Sequence, residues 1–195
     1  MANYKISEGI TGLNEGGYAN NKKDRGKETF AGVSRLYWPS WRGFEYIDRF
    51  KAEYARAKTK MSLAAWINAS AKATPELTLL ISGFYKQNFW NVNQLDYIND
   101  QQLANTIYDF GVNSGTSRAA DYLQDAYNNL RGTGKALKND SDIGPTTIGA
   151  VNAFPARLLH AEYNRLRESF YRSLAEDPTQ ADFLNGWLKR LKAYK

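Results

Sequence analysis

Two carboxylates and a hydroxyl lie close together near the start of the chain, set among glycines. Glu15 opens Glu15-Gly16-Gly17-Tyr18, Asp24 opens Asp24-Arg25-Gly26-Lys27-Glu28-Thr29, and Gly32-Val33-Ser34 follows. Upstream, Tyr4, Ile6, Ile10 and Leu13 recur at helical spacing, and Gly16 is the residue type that ends helices in a left-handed conformation. Glu15 is therefore expected at a helix C-terminus, where the helix dipole and burial both disfavour ionisation and raise a glutamate's pKa. A general acid working near neutral pH requires that. The Gly17-Tyr18-Ala19-Asn20-Asn21 run reads as a turn, and Thr29, Phe30, Ala31 and Val33 as a short extended segment. Asp24 and Thr29 can thereby fold back toward Glu15. A carboxyl that protonates a leaving oxygen, a second that activates water or stabilises a sugar cation, and a threonine that positions the water are the parts of glycoside hydrolysis. An ordinary surface turn can carry the same residues.

The run Glu15-Gly16-Gly17-Tyr18, then Asp24-Arg25-Gly26, Thr29 and Gly32-Val33-Ser34, resembles the N-terminal motif of glycoside hydrolase family 108, muramidases within the wider lysozyme-like group. The resemblance implies Glu15 as the general acid, because Gly16, Gly17 and Tyr18 match around it. Asp24 and Thr29 fall where phage-type lysozymes carry an aspartate and a threonine, which implies catalytic roles for them by analogy. Lys27 stands where the family pattern has its second glycine; if that position needs a positive φ, lysine is strained there. In the second half, Asn113-Ser114-Gly115, Leu123-Gln124, Asp142-Ile143-Gly144-Pro145-Thr146-Thr147 and Phe183-Leu184-Asn185-Gly186-Trp187-Leu188 look like the helical segment assigned in this family to peptidoglycan binding. The match spans nearly the whole chain and is loose over 59–92. It implies one lysozyme-like unit, 1–195, with a catalytic portion, 1–98, and a helical peptidoglycan-binding portion, 99–195. The expected fold is all-α (mainly α), a helical bundle with a short β-hairpin or extended segment after the first helix.

Positioning such a site takes a core, and 195 residues with 43% hydrophobic content suffice for one. Without cysteine there is no disulfide, thiolate nucleophile or thiolate zinc site, and the single histidine, His160, cannot build a histidine-rich metal centre; a Ser/His/Asp triad is not expected. No cofactor or metal is expected. No run is apolar and long enough to span a membrane. The first eight residues lack the apolar stretch of a secretory signal, so synthesis in the cytoplasm is expected, with action on the cell wall after release or secretion by another system. Net charge is +6, and residues 1–60 hold twelve Lys and Arg against seven Asp and Glu. That excess favours an anionic polymer: cell wall, lipopolysaccharide or nucleic acid.

After the motif, Leu36-Tyr37-Trp38-Pro39-Ser40-Trp41 reads as an aromatic loop leading into a helix that Ser40 can cap. Trp38 and Trp41 are candidates to stack on sugar rings, alongside Tyr18; each also suits packing. Phe44, Ile47, Phe50 and Tyr54 mark an amphipathic helix, 61–73 another, and Thr74-Pro75-Glu76 the start of a third; these read as scaffold. The aromatic and amide-rich stretch 85–94 reads as a loop or helix end facing a polar ligand, with Trp90 a further sugar candidate. Asp100 caps a helix ending near Gly111. A turn carries Asn113, also a binding candidate, and a helix restarts at Ser117. The stretch 131–142 reads as a surface loop, Pro145 and Pro155 open helices, and a last helix follows Pro178. His160 reads as a packing or surface residue.

Three functions follow. The first is a monomeric muramidase that cleaves the β-1,4 bond between N-acetylmuramic acid and N-acetylglucosamine in glycan strands, without nucleic acid as partner; a lytic transglycosylase needs only the glutamate. The second is a catalytically inactive wall-binding or secretion-accessory protein of the same fold. The third is nucleic-acid binding, for which the sequence holds charge and aromatics and no recognised motif.

Overall fold

The computed structural model describes residues 1–11, 16–21 and 27–192. Leu13, Glu15 and Asp24 lie outside them, as does the side chain of Ile10. Among the described residues there are nine α-helices and one small antiparallel sheet, the mainly α fold with a short hairpin that the pattern predicts. The chain forms two compact units, Gly12–Tyr85 on one hand and Met1–Thr11 with Lys86–Lys195 on the other.

In the unit Gly12–Tyr85, strands β1 (Ala19–Asn20), β2 (Glu28–Phe30) and β3 (Val33–Ser34) pair in that order. The expected single extended segment is two strands, because Ala31 (φ 47°) and Gly32 (φ 76°) both take positive φ between them. Two such residues make the type I′ connection whose twist matches that of paired strands. The register sets Phe30 opposite Val33 and Thr29 opposite both Ser34 and Ala19. Tyr85 donates its hydroxyl to the Ala31 carbonyl at 2.8 Å and lies where a side chain at Gly32 would go.

Three helices support the hairpin: α2 (Gly43–Arg56), α3 (Leu63–Lys72) and α4 (Pro75–Tyr85). α2 buries Phe44, Ile47 and Phe50, the stripe read from its period. Ser40 does not cap it: the helix begins later, with Arg42 at the cap position and no side-chain cap. Ser62 caps α3 by accepting from Ala65 N–H at 3.2 Å. Thr74 precedes α4 as expected, yet its hydroxyl bonds back to the Ser70 carbonyl at 2.8 Å.

In the other unit, α1 (Tyr4–Thr11) packs on α5 (Gln101–Ser114), and α5 on α6 (Thr116–Leu130) and α8 (Ala156–Leu174). α7 (Pro145–Ala153) and α9 (Leu184–Lys192) complete the bundle. Ile6 was expected on the apolar stripe of α1 and is 49% exposed; Tyr4 and Ser7 are the buried pair. α5 does not end at Gly111. It continues to Ser114, and Gly115 (φ 98°) breaks it before α6. Asp100 caps α5 through a 2.7 Å bond from Leu103 N–H. Every residue from 103 to 111 is buried, so α5 is the centre of this unit. Its Asp109 is held by Arg167 of α8 (2.6 Å) and Arg190 of α9 (2.7 Å). Among the described residues no helix is long and apolar enough to cross a membrane.

Candidate active site

A groove of about 680 Å³ lies in the unit Gly12–Tyr85. Gly16 and Gly17 line it with Phe30 and Ala31 of the hairpin, Asn68, Ala71 and Lys72 of α3, and Thr78 and Ile81 of α4. Asn68, Ala71 and Lys72 share one helix face by their three- and four-residue spacing. Crowding explains the glycines. A β-carbon at Gly16 would stand 2.9 Å from the backbone nitrogen of Gly32, and one at Gly17 would stand 2.7 Å from Asn68 Nδ2. Bare backbone at these positions lets the hairpin turn and α3 close on the chain. Asn68 fixes the approach, because its Oδ1 accepts Tyr18 N–H at 2.8 Å.

Glu28, next to Thr29, is the carboxylate of β2, and the structure neutralises it. Lys51 of α2 ion-pairs with it, Arg35 Nε lies 2.6 Å from its Oε2, and the Tyr18 hydroxyl donates to its Oε1 at 3.0 Å. Arg35 in turn makes a two-pronged contact with Asp48, at 3.0 and 2.6 Å. Burial pushes the Glu28 pKa up, but the bonds from Lys51 and Tyr18 and the charges of Lys51 and Arg35 outweigh it, and the group sits below the ordinary glutamate value. Burial and Glu28 together push Tyr18 up; Glu28 raises Lys51 against the effect of burial. Glu28 is an anchor of the hairpin and no proton donor at neutral pH.

Of the sequence candidates, Glu15 and Asp24 are not among the described residues, although Gly16, bonded to Glu15, lines the groove. Thr29 is half-buried in β2 and pairs with Ala19 and Ser34; among the described residues of the groove lining, its neighbours Phe30 and Ala31 appear and it does not. Tyr18 is buried against Glu28. Trp38 is 41% exposed and stands edge-on to Phe84, while Trp41 packs on Phe44 and Phe84; with exposed Tyr37 they make an aromatic face that is not part of the groove lining.

Trp90 lies in the other unit and is fully buried, edge-to-face with Tyr4 and Tyr108, its indole N–H donated to Asp96 at 2.8 Å. That packing leaves neither ring face for a sugar. Of the two readings of 85–94, loop or helix end, the structure shows a helix end: a π-helical turn, Lys86–Asn91, continues directly from α4 and is followed by a 3-10 turn, Leu95–Tyr97. Asn113 is exposed on α5 and accepts from the Tyr171 hydroxyl at 3.0 Å. His160 is half-buried, its Nε2 2.8 Å from Thr106 Oγ1, and burial pushes its pKa down. Among the described residues no three His, Asp or Glu side chains gather as a metal site requires. In the sequence, Asn68, Lys72, Thr78 and Ile81 belong to helices that read as scaffold; the spacing of Asn68 and Lys72 on one face of α3 is the signal that marks them.

The sequence profile of the family Glycosyl hydrolase 108 matches residues 10–115, which include Glu15, Asp24 and all of the groove-forming unit. The profile of the family described as Predicted Peptidoglycan domain matches residues 118–192. The solved structure of Brucella abortus SagA is similar in fold, with 23% sequence identity, a TM-score of 0.65, and coverage of 98% of this chain and 90% of that one. No curated protein matches the chain.

Proposed function

Since the chain belongs to the glycosyl hydrolase 108 family and is a glycoside hydrolase of the lysozyme-like N-acetylmuramidase type acting on peptidoglycan, we propose that it cleaves the β-1,4 bond between N-acetylmuramic acid and N-acetylglucosamine with Glu15 as general acid. The observation that supports this reading is the groove whose wall includes Gly16 and Gly17, the residues that follow Glu15. Glu15 protonates the leaving glycosidic oxygen, and Asp24 activates water or stabilises the sugar cation, with Thr29 positioning that water. A carboxyl separation of roughly 6.5–9.5 Å gives inversion, and about 5 Å a covalent, retaining route. Tyr18 holds the hairpin, and Trp38 and Trp41 offer apolar ring faces to glycan. Residues 1–98 supply catalysis and 99–195, with Asn113, wall binding. The enzyme works as a monomer on wall glycan, not on nucleic acid.

The test is release of reducing ends from purified peptidoglycan by wild type and by Glu15→Gln between about pH 5 and 8. Loss of a general acid costs about 10²–10⁴-fold in rate, so the variant is expected to lose activity by that factor while still binding sacculi. A wild type that binds and releases nothing would replace this reading with that of a wall-binding protein. A 1,6-anhydro product would make the reaction a transglycosylation, in which the sugar's own hydroxyl replaces water.

A further inference from the structure

Among the described residues of the groove lining, Lys72 is the one charged side chain. The other described residues of the wall are Gly16 and Gly17, the apolar Phe30, Ala31, Ala71 and Ile81, and two small polar groups, Asn68 and Thr78. Two other cations of the same unit, Lys51 and Arg35, are engaged by Glu28 and Asp48. Lys72 is exposed and makes no ion pair with any described carboxylate. Asn68, four residues earlier and about 6 Å along the helix axis, has its oxygen committed to Tyr18 N–H, which turns its amide nitrogen toward Gly17. On this face of α3 the groove therefore offers a neutral amide at one point and the positive charge of Lys72 at another.

Peptidoglycan alternates two sugars that differ in charge. N-acetylglucosamine is neutral. The muramoyl residue carries a lactyl ether whose carboxyl is either free or linked to a stem peptide with carboxylates of its own. We infer that Lys72 reads this muramoyl-side carboxylate, with Asn68 donating to the uncharged part of the strand, so that the groove prefers peptidoglycan over chitin-like glycan of the same backbone. The inference rests on the reading of the groove as the glycan site. An ammonium suits the task, being a compact point charge on a flexible stem with three donors, able to follow a carboxylate whose position shifts between free lactyl and peptide forms. Lys72 also sits in the last turn of α3, where a cation complements the helix dipole; that role alone would appear as lost stability with substrate preference unaltered.

The experiment compares full-length wild type, Lys72→Gln, Lys72→Arg and, as a control for net charge outside the groove, Lys58→Gln. Each is measured for binding and turnover on peptide-bearing sacculi, on glycan strands stripped by an amidase so that the lactyl carboxylate is free, and on N-acetylglucosamine oligomers. At low salt, Lys72→Gln is expected to weaken binding to sacculi about three- to fivefold, the scale of an exposed ion pair, and to act on KM more than on kcat. Lys72→Arg should restore most of the loss, and neutral oligomers should show none. The lactyl carboxyl is an amide in sacculi and is freed only by stripping, so persistence of the effect on stripped strands shows that Lys72 follows either carboxylate, and its disappearance assigns the effect to the stem peptide. Equal loss on charged and neutral glycan, no loss on either, or an equal effect of Lys58→Gln would overturn the inference. Should the wild type cut nothing, the catalytic reading fails by itself, and the binding preference still decides for or against Lys72.

Discussion

Lys27 shows what a single residue costs the hairpin. Its backbone is left-handed (φ 51°), the conformation that the glycine of the family pattern adopts freely. An L-residue there carries about 1–2 kcal/mol of steric strain, part of which glycine would give back through its freer unfolded chain. Lys27→Gly is therefore expected to raise the free energy of unfolding by up to about 1 kcal/mol, read as a higher urea midpoint at unchanged slope. No gain would mean that the lysine side chain repays its strain in contacts. Positive φ at Lys27 also means that the departure from the pattern leaves the expected backbone shape in place.

Among the elements, the hairpin depends on α2 through charge. Glu28 of β2 joins Lys51 and Tyr18 directly and Asp48 by way of Arg35. Its pKa in the folded protein lies below the unfolded value, so the folded state favours the ionised form. The contribution is fully present above the unfolded glutamate pKa of about 4.3 and is lost as pH falls through the lower folded value. Glu28→Gln should thus destabilise by about 1–2 kcal/mol at neutral pH and by little near pH 3, so the two stability curves should converge in acid. Parallel curves over that range would remove Glu28 from the acid limb.

At the scale of the molecule, the net charge of +6 faces an anionic wall. Attraction of that kind is screened as the Debye length shortens, from about 10 Å at 0.1 M salt to about 3 Å at 1 M. Binding to sacculi is expected to weaken progressively over that range, while binding to uncharged N-acetylglucosamine oligomers stays nearly level. Salt-insensitive binding to sacculi would assign recognition to aromatic and hydrogen-bonding contacts instead. In the bundle unit, charge is used differently: Asp109 lies buried between Arg167 and Arg190 and ties α9 to α5, far more weakly exposed to salt than the surface excess.

Local rules were legible in the residues themselves. The glycine-flanked carboxylates, the cap at Asp100, the prolines that open α4, α7 and α8, and the family membership all follow from neighbours in sequence, because turn, cap and helix-start chemistry act over a few residues. What crosses long stretches of chain was decided by tertiary packing. An aromatic residue suits a sugar platform and a core equally well, and only the approach of Tyr4 and Tyr108 makes Trp90 a core residue, as only the reach of Asn68 to Tyr18 turns a scaffold helix into a groove wall. Ser40 had the chemistry of a cap, but the helix start fell beyond it. By itself the sequence determined the family and the helical frame. Which described side chains line the groove was set by the fold, since burial depends on partners that no local spacing specifies.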